Sequence, residues 1–423
     1  MFYKCIPLSK NLSDNCEDEM NFADDHPNRN TSITMINIFS KLFFISTMSL
    51  KWLLAIFLKL DKKNITPVHV FFCLVDHYEP GTGAVGRKTE IQRVDTLLKE
   101  YPLIADRHKD FYGNIPRRTW FFPPHYHRNY NLKKLVSLCQ QGYGEIELHL
   151  HHGKDRPDTD ENLRNTILQC IKEYSQFGIF GELDGEKRYG FIHGDWALDN
   201  SRNGKYCGVN NELVILKETG CFADFTHPSL MKTTPSKINA IYYATDNPEK
   251  EKSYNKGIQV TMNGAESGDL MIIQGPLHPF FKSNKPWSLR ILGDSIDGNP
   301  PVTKKRIDTW IKTNICVKGK RDFVFIKTHT HGATDSKAVL GKEIDQIFSY
   351  LETKYNDGKN FILHYVTARE LYNIIKAVES GEDLSNPEIY RDYLISKPLY
   401  DSSKDIAEAS LILKGFIQKT YSG

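Results

Sequence analysis

The run Glu145-Ile146-Glu147-Leu148-His149-Leu150-His151-His152 sets histidines into an alternation of polar and apolar residues. Alternate residues of a β-strand share a face, so His149 and His151 project to the same side. Paired neutral imidazoles suit a borderline divalent ion such as zinc, with cobalt or nickel as alternatives. A further histidine or a carboxylate completes three protein donors and leaves a position for water, whose pKa such an ion lowers toward ~7. The stretch Val75-Asp76-His77-Tyr78-Glu79 offers both residue types, with His77 as the third donor. The plainer reading of His149 and His151 is hydrogen-bonded polar filler in a core.

Hydrolysis at such a site also needs groups that move protons. Asp76 is the first candidate base. Asp195 competes for that role, although its setting equally suits a helix N-cap. Glu79 can replace Asp76 as base or ligand. His331, in His329-Thr330-His331-Gly332, is the candidate acid for a leaving group. Candidate substrate contacts are Trp196, His193, His329 and Glu79. Trp196 and Trp120 suit stacking on a sugar ring and equally suit a core.

These residues fall where apolar runs end. Strands are expected at 68–75, 118–122, 145–151, 189–193, 221–225, 240–244, 270–274, 323–328 and 361–365. Helices are expected at 91–100, 132–141, 160–177, 211–219, 304–314, 343–355 and 368–378. Asp158-Thr159-Asp160-Glu161 supplies a cap and a negative first turn for the third of these. Strands alternating with helices predict parallel βα units. About seven such units predict an α/β fold closed as a distorted (β/α)7-type barrel over 66–380. An open doubly wound sheet is the alternative. Barrel chemistry sits at the C-terminal ends of the strands, where most of the 15 histidines lie. The segment between His227 and Ser288 breaks the rhythm and predicts inserted loops or a short β-element. Residues 381–423 are expected to form a helical tail.

These motifs resemble the polysaccharide deacetylase family (carbohydrate esterase family 4), and in particular its divergent members in bacterial surface-polysaccharide gene sets. The shared runs are His149-Leu150-His151-His152, Phe191 to Asn200 (FIHGDWALDN) and His329-Thr330-His331-Gly332. The resemblance implies a glycoside hydrolase/deacetylase-like barrel. It also implies Asp76 as base, His77 at a ligand position that the family fills with Asp, His149 as a ligand, and a late His assisting the leaving group. The family's second ligand His falls at Gly153 here, so His151 or His152 must substitute. The Arg-bearing motif of its fourth strand has no clean match.

The remainder of the chain narrows the function class. Of 423 residues, 40% are hydrophobic and 25% charged, with a formal charge of +3, so neither composition nor field argues for nucleic acid. No Gly-rich phosphate loop follows the first strand. Eight scattered cysteines without C-x-x-C pairs read as reduced core residues rather than a disulfide framework. Residues 1–34 read as a disordered extension. Residues 35–64 form an apolar stretch whose uninterrupted runs fall short of the ~20 residues that span a bilayer. An interfacial helix fits best, with Trp52, Leu53, Leu54, Ile56, Phe57 and Leu58 as its apolar body and lysines for headgroups. A signal-anchor or a helix packed on the barrel are the alternatives. The flanking lysines favour the cytoplasmic face, whereas the family's usual glycan substrates favour the cell envelope.

The function expected is a metal-dependent hydrolase removing an acyl group, N-acetyl by resemblance, from a polysaccharide or amino-sugar substrate. The alternatives are a metal-independent glycosidase or lyase using two carboxylates, such as Asp195 with Glu79 or Asp224, and a non-catalytic carbohydrate-binding barrel.

Overall fold

The apolar run at Val68 becomes the strand on which the rest of the sheet is organised. In the computed structural model, residues 67–405 are described, apart from positions 84, 127–128, 230–232, 283–284, 298–299 and 335. The strands are β1 (Val68–His77), β2 (Arg118–Phe122), β3 (Gly144–Leu150), β4 (Gly181–Leu183), β5 (Glu186–His193), β6 (Cys221–Asp224), β7 (Ile241–Ala244), β8 (Gly257–Gln259), β9 (Leu270–Ile273), β10 (His278–Lys282), β11 (Lys285–Leu292), β12 (Phe323–Thr330) and β13 (Phe361–Val366). The helices are α1 (Arg87–Ala105), α2 (Asn129–Gln140), α3 (Asp160–Ser175), α4 (Glu212–Glu218), α5 (Lys304–Thr313), α6 (Ser336–Leu340), α7 (Lys342–Tyr355) and α8 (Ala368–Ser380). The Thr159 side chain caps α3 by accepting from the Asn162 amide, as its sequence signature predicts.

The fold is mixed α/β around a large, mostly parallel sheet of order β12-β1-β2-β3-β5-β6-β9-β7-β8, with β13 also on β1 and β4 on β5. One edge of β1 is shared, because β13 pairs with its first half and β2 with its second. The other edge pairs with β12 from His69 to Asp76. The hydrogen-bonded path is open among the described residues, so a closed barrel is not formed by strand pairing. Two features explain the difference from the expected ring. The chain between 227 and 288 inserts the antiparallel strand β7 beside β9, with β8 beyond it. Beyond β8, residues 315–318 reach between the two sheet ends, through a bridge from Thr261 to Lys318 and the Phe325 amide on Ile315 O. The later part of that insertion is the β10–β11 hairpin.

Alternation along the strands sorts residues onto two faces. Phe71, Cys73, Val75, Phe121, Ile192, Phe323 and Phe325 share one core with α8. Trp120, Phe122, Ile146, Leu148, Leu150, Tyr189 and Phe191 share another with α1 to α4. Helix α8 is buried from Ala368 to Glu379. It covers the first of these faces, here called the inner face, rather than joining the outer helices as the βα rhythm predicts. A buried ion pair of Arg369 with Glu145 (2.7 Å) ties it to β3, and Thr367 forms a capping box with Glu370 at its start.

Residues 381–405 are not the expected helix. They make one 3₁₀ turn, Pro387–Tyr390, and otherwise run irregularly. Prolines at 387 and 398 disfavour helix. The carbonyls of Arg391 and Ile395 accept instead from Arg369 and Asn373. The extension 1–34 and the apolar stretch 35–64 lie outside the described residues, and no described helix is long and apolar enough to cross a membrane. The six described cysteines are buried free thiols.

At the inner face's N-terminal end, His69 Nδ1 lies 2.9 Å from His364 Nε2, and His364 Nδ1 lies 2.7 Å from Glu388. Burial, reinforced by His364, lowers the His69 pKa to about 4, against the attraction of Asp322 and Glu388. The fold therefore holds His69 neutral, whereas the unfolded chain takes up a proton near pH 6.5. The linked stability is present above pH 6.5 and is lost as pH falls toward 4, by ~1–3 kcal/mol after allowance for partial screening. Urea midpoints measured from pH 7 to pH 4 should show this loss, and His69→Gln should flatten it. An unchanged slope in the variant would rule His69 out as its source.

Candidate metal centre

Three parallel strands, β1, β3 and β12, bring histidines to one end of the inner face. On β3 the inner positions are Glu145, Glu147 and His149, and His151 follows in the same parity. Inner-face packing at His77 is shown by its ring contacts to His149 (4.9 Å between centroids), His331 (4.6 Å) and His329 (5.7 Å). His125, in the 3₁₀ turn Pro124–Tyr126 after β2, faces His151 at 5.6 Å. Glu79, just past β1, enters the same cluster. Its Oε1 is 2.9 Å from His151 Nε2 and 3.8 Å from His149 Nε2.

Four of these imidazoles are fixed through Nδ1. His149 Nδ1 lies 2.8 Å from Ile192 O, and His151 Nδ1 lies 2.9 Å from Asp195. His329 Nδ1 lies 2.6 Å from Asp294, which also takes Lys327 Nζ at 2.8 Å. His331 Nδ1 lies 3.2 Å from Asp297, which also accepts the His331 amide at 2.6 Å. A ring anchored at Nδ1 offers Nε2 in a set orientation, which is the outer-shell arrangement of metal-binding histidines. Two donor triads result, Glu79–His149–His151 and His77–Glu79–His331, sharing Glu79.

The first triad fits a zinc-like ion. His149 Nε2 and His151 Nε2 are 3.1 Å apart. Zn–N bonds of ~2.0–2.1 Å in a tetrahedron put ligand atoms about 3.3 Å from one another. The observed edges of 2.9, 3.1 and 3.8 Å bracket that value. Two histidines and a glutamate are also a donor set that leaves a fourth position open.

The electrostatics are those of a tightly paired site. Burial lowers His149 to about 3, and His151 adds to the effect. Burial also pushes His77 well below its usual range, with the neighbouring histidines adding to it. For His151, burial is outweighed by Glu79 and Asp195, which raise it to about 10. Against the same burial penalty, Asp297 raises His331 to about 9. Burial likewise opposes ionisation of Glu79, Asp195, Asp294 and Asp297, yet their histidine partners hold all four below the ordinary carboxylate range.

The residues singled out from sequence divide by face. His77, His149, His151, His331, His329, Glu79 and Asp195 come together. Asp76 does not join them, because it precedes His77 on β1 and points to the opposite face. There its carboxylate pairs with Arg118 (3.0 Å) and accepts the Gly332 amide (3.1 Å). Burial raises it to about 6 despite Arg118. It anchors the loop that carries His331. His193 also lies on the outer face, with Phe191, and its ring meets His152 at 4.7 Å. Trp196 is half-buried beside Asp195, whereas Trp120 is fully buried against Tyr78 and Tyr101 and so is unavailable to a sugar.

Sequence reasoning missed Asp294, Asp297 and Lys327. Lys327 shares parity with His329 and His331, and that signal was there to use. His227, a strand-end histidine given no role from sequence, is fully buried with neither ring nitrogen hydrogen-bonded. Gly153, at the position of the family's second histidine, has φ +66°, and a Cβ there would run into the Cys207 carbonyl. Backbone packing thus excludes any side chain at 153, while His151 supplies the second imidazole. Gly153→Ala should cost ~1–3 kcal/mol from the left-handed strain alone, read as a lower Tm. An unshifted Tm would mean that the backbone at 153 relaxes out of the left-handed region and that the 206–207 segment gives way with it.

No family model and no curated protein matches the chain. Among solved structures, it is similar to a GH57 branching enzyme from the hyperthermophilic archaeon Thermococcus kodakaraensis, in complex with glucose. The identity is 11% and the TM-score 0.27, over 84% of this chain and 72% of that one. A likeness that distant carries neither fold nor activity across.

Proposed function

We propose that the protein is a metal-dependent hydrolase that removes an acyl group, N-acetyl by its motif resemblance, from an amino-sugar-containing carbohydrate. The observation that carries this reading is the convergence of Glu79, His149 and His151, with His77 and His331 adjoining, each of His149, His151 and His331 tethered through Nδ1. Glu79, His149 and His151 would hold the ion. A divalent ion there supplies an acidified water and polarises the acyl carbonyl.

The chain's own groups do the rest. Asp195 and Ile192 O keep the Nε2 atoms of His151 and His149 turned inward. His331, kept protonated by Asp297, donates a proton to the departing amine nitrogen. Trp196 offers an aromatic surface beside Asp195 for a sugar ring.

The two-carboxylate alternative is less well supported. A glycosidase needs one carboxyl protonated as the acid, but Glu79 and Asp195 both face His151 and both are held ionised. Asp224 lies on the other face, in register with Phe191.

Elemental analysis of purified protein, paired with acetate release from N-acetylated amino-sugar oligomers, tests the proposal. Stoichiometric zinc, cobalt or nickel with release is expected. Metal without release from any acylated sugar would favour a binding role. A protein that neither holds nor responds to these ions would overturn the reading.

A further inference from the structure

The histidine run continues past the inner site. His152 follows His151 and so points to the outer face. There it meets His193, Cys207 and Glu212, whose donor atoms all lie within 4.8 Å of one another. All four residues are buried, His193 to 1% exposure and Cys207 and Glu212 to 0%.

Glu212 Oε1 is 3.1 Å from His152 Nε2 and 3.6 Å from His193 Nε2, and Glu212 Oε2 is 3.4 Å from Cys207 Sγ. Tetrahedral zinc with N, O and S donors requires separations of roughly 3.3–3.7 Å. His193 Nε2 is buried and hydrogen-bonded to nothing, an orphan aimed into the cluster. Burying such a group without a partner is costly.

Every donor is held from behind. His152 Nδ1 lies 3.0 Å from Asp158, and His193 Nδ1 lies 2.5 Å from Gly194 O. Glu212 Oε2 accepts the Asp199 amide at 2.6 Å. Cys207 Sγ accepts backbone amides from Asn200 (3.3 Å) and Val209 (3.5 Å) and donates to Glu212 Oε2, while burial and Glu212 push the thiol up to about 11, so an ion here would displace the thiol proton. These are the outer-shell contacts of a ligand set rather than of core packing.

We propose that His152, His193, Cys207 and Glu212 bind a second divalent ion, zinc or one of similar softness, in a closed structural site. Four protein donors leave no open position for substrate, and the thiolate discriminates against magnesium and calcium. The ion would fasten the 194–212 loop to the ends of β3 and β5. That loop carries six left-handed non-glycine residues, Asp195, Trp196, Asp199, Asn200, Asn203 and Tyr206. Such backbone persists only where its surroundings over-determine it. Because the loop also presents Asp195 to His151, the structural ion would steady the inner site without touching substrate.

The test uses the full chain, stripped of metal and titrated with Co(II). A cysteine ligand gives a near-ultraviolet thiolate-to-cobalt charge-transfer band. Wild type and His149→Ala should both show it, and Cys207→Ser should lose it while losing one metal equivalent. No band in the wild type, or a band that survives Cys207→Ser, overturns the proposal. The wild-type spectrum decides even where the serine variant folds poorly. The inner-site reading fails separately, when His149→Ala keeps the full wild-type metal complement.

Discussion

Replacing His149 with alanine is expected to remove the inner ion and to lower kcat/KM for acyl release by more than ~100-fold. The bound rests on a comparison of shells. Loss of an outer-shell partner commonly costs ~10–100-fold in metal affinity or activity. Asp195→Asn, which keeps the shape but weakens the hold on His151 Nδ1, should fall in that range. In the proposed site His149 would be a direct donor, its Nε2 3.1 Å from that of His151, so its loss should cost more. Elemental analysis and acetate release on the two variants give the order. An Asp195→Asn variant worse than His149→Ala, or a His149→Ala variant with full metal, would place the ion elsewhere.

Arg118→Met should destabilise the fold by ~3–5 kcal/mol, the range for removing one partner of a buried ion pair. Both side chains of the Arg118–Asp76 pair are fully buried. The guanidinium also donates to Val339 O (2.5 Å) and lies over the Tyr101 ring at 4.2 Å. The methionine fills much of the volume but leaves Asp76 buried without its counter-ion, so that the carboxyl, already raised to about 6 beside Arg118, takes up a proton. Adding Asp76→Leu should recover most of the loss, because a pair replaced by apolar groups is often neutral. Urea unfolding at pH 7 measures both. A single variant within 1 kcal/mol of wild type, on the order of an exposed pair, would mean that water reaches Asp76. The paired variant should also release the Gly332 amide and so blur the position of His331.

Nine strands were legible because their apolar runs are short, β-branched or aromatic, and bounded by turn residues, whereas β4, β8 and the β10–β11 hairpin carry no such bounded run. The shared face of His149 and His151 followed from parity alone. Parity failed where a strand is buried on both sides. In β5, Tyr189, Phe191 and His193 alternate with Gly190 and Ile192, and nothing polar marks which set faces the site. His193 was therefore assigned to substrate, whereas it belongs with His152 and Cys207. Asp76 was taken as base from its place beside the candidate ligands and again by resemblance, although its neighbour His77 could not share its face. Asp294 and Asp297 sit in an aperiodic loop, where spacing carries no geometric information. Ring closure was over-read, because rhythm counts βα units and reports neither the antiparallel β7 and β8 nor that β13 returns to the same edge of β1 as β2.

That return governs how the chain can assemble during synthesis. Apart from β2, which pairs only with Leu74 to His77, the first strand finds its hydrogen-bonding neighbours at 323–330 and 361–366, and the inner face is covered by 368–380. A ribosome must extrude about 250 residues after β1 before β12 exists and about 290 before β13 does. Until then, Phe71, Cys73 and Val75 have no cover from α8. The nascent chain thus carries an open sheet edge, of the kind that pairs with other chains, until those late strands emerge.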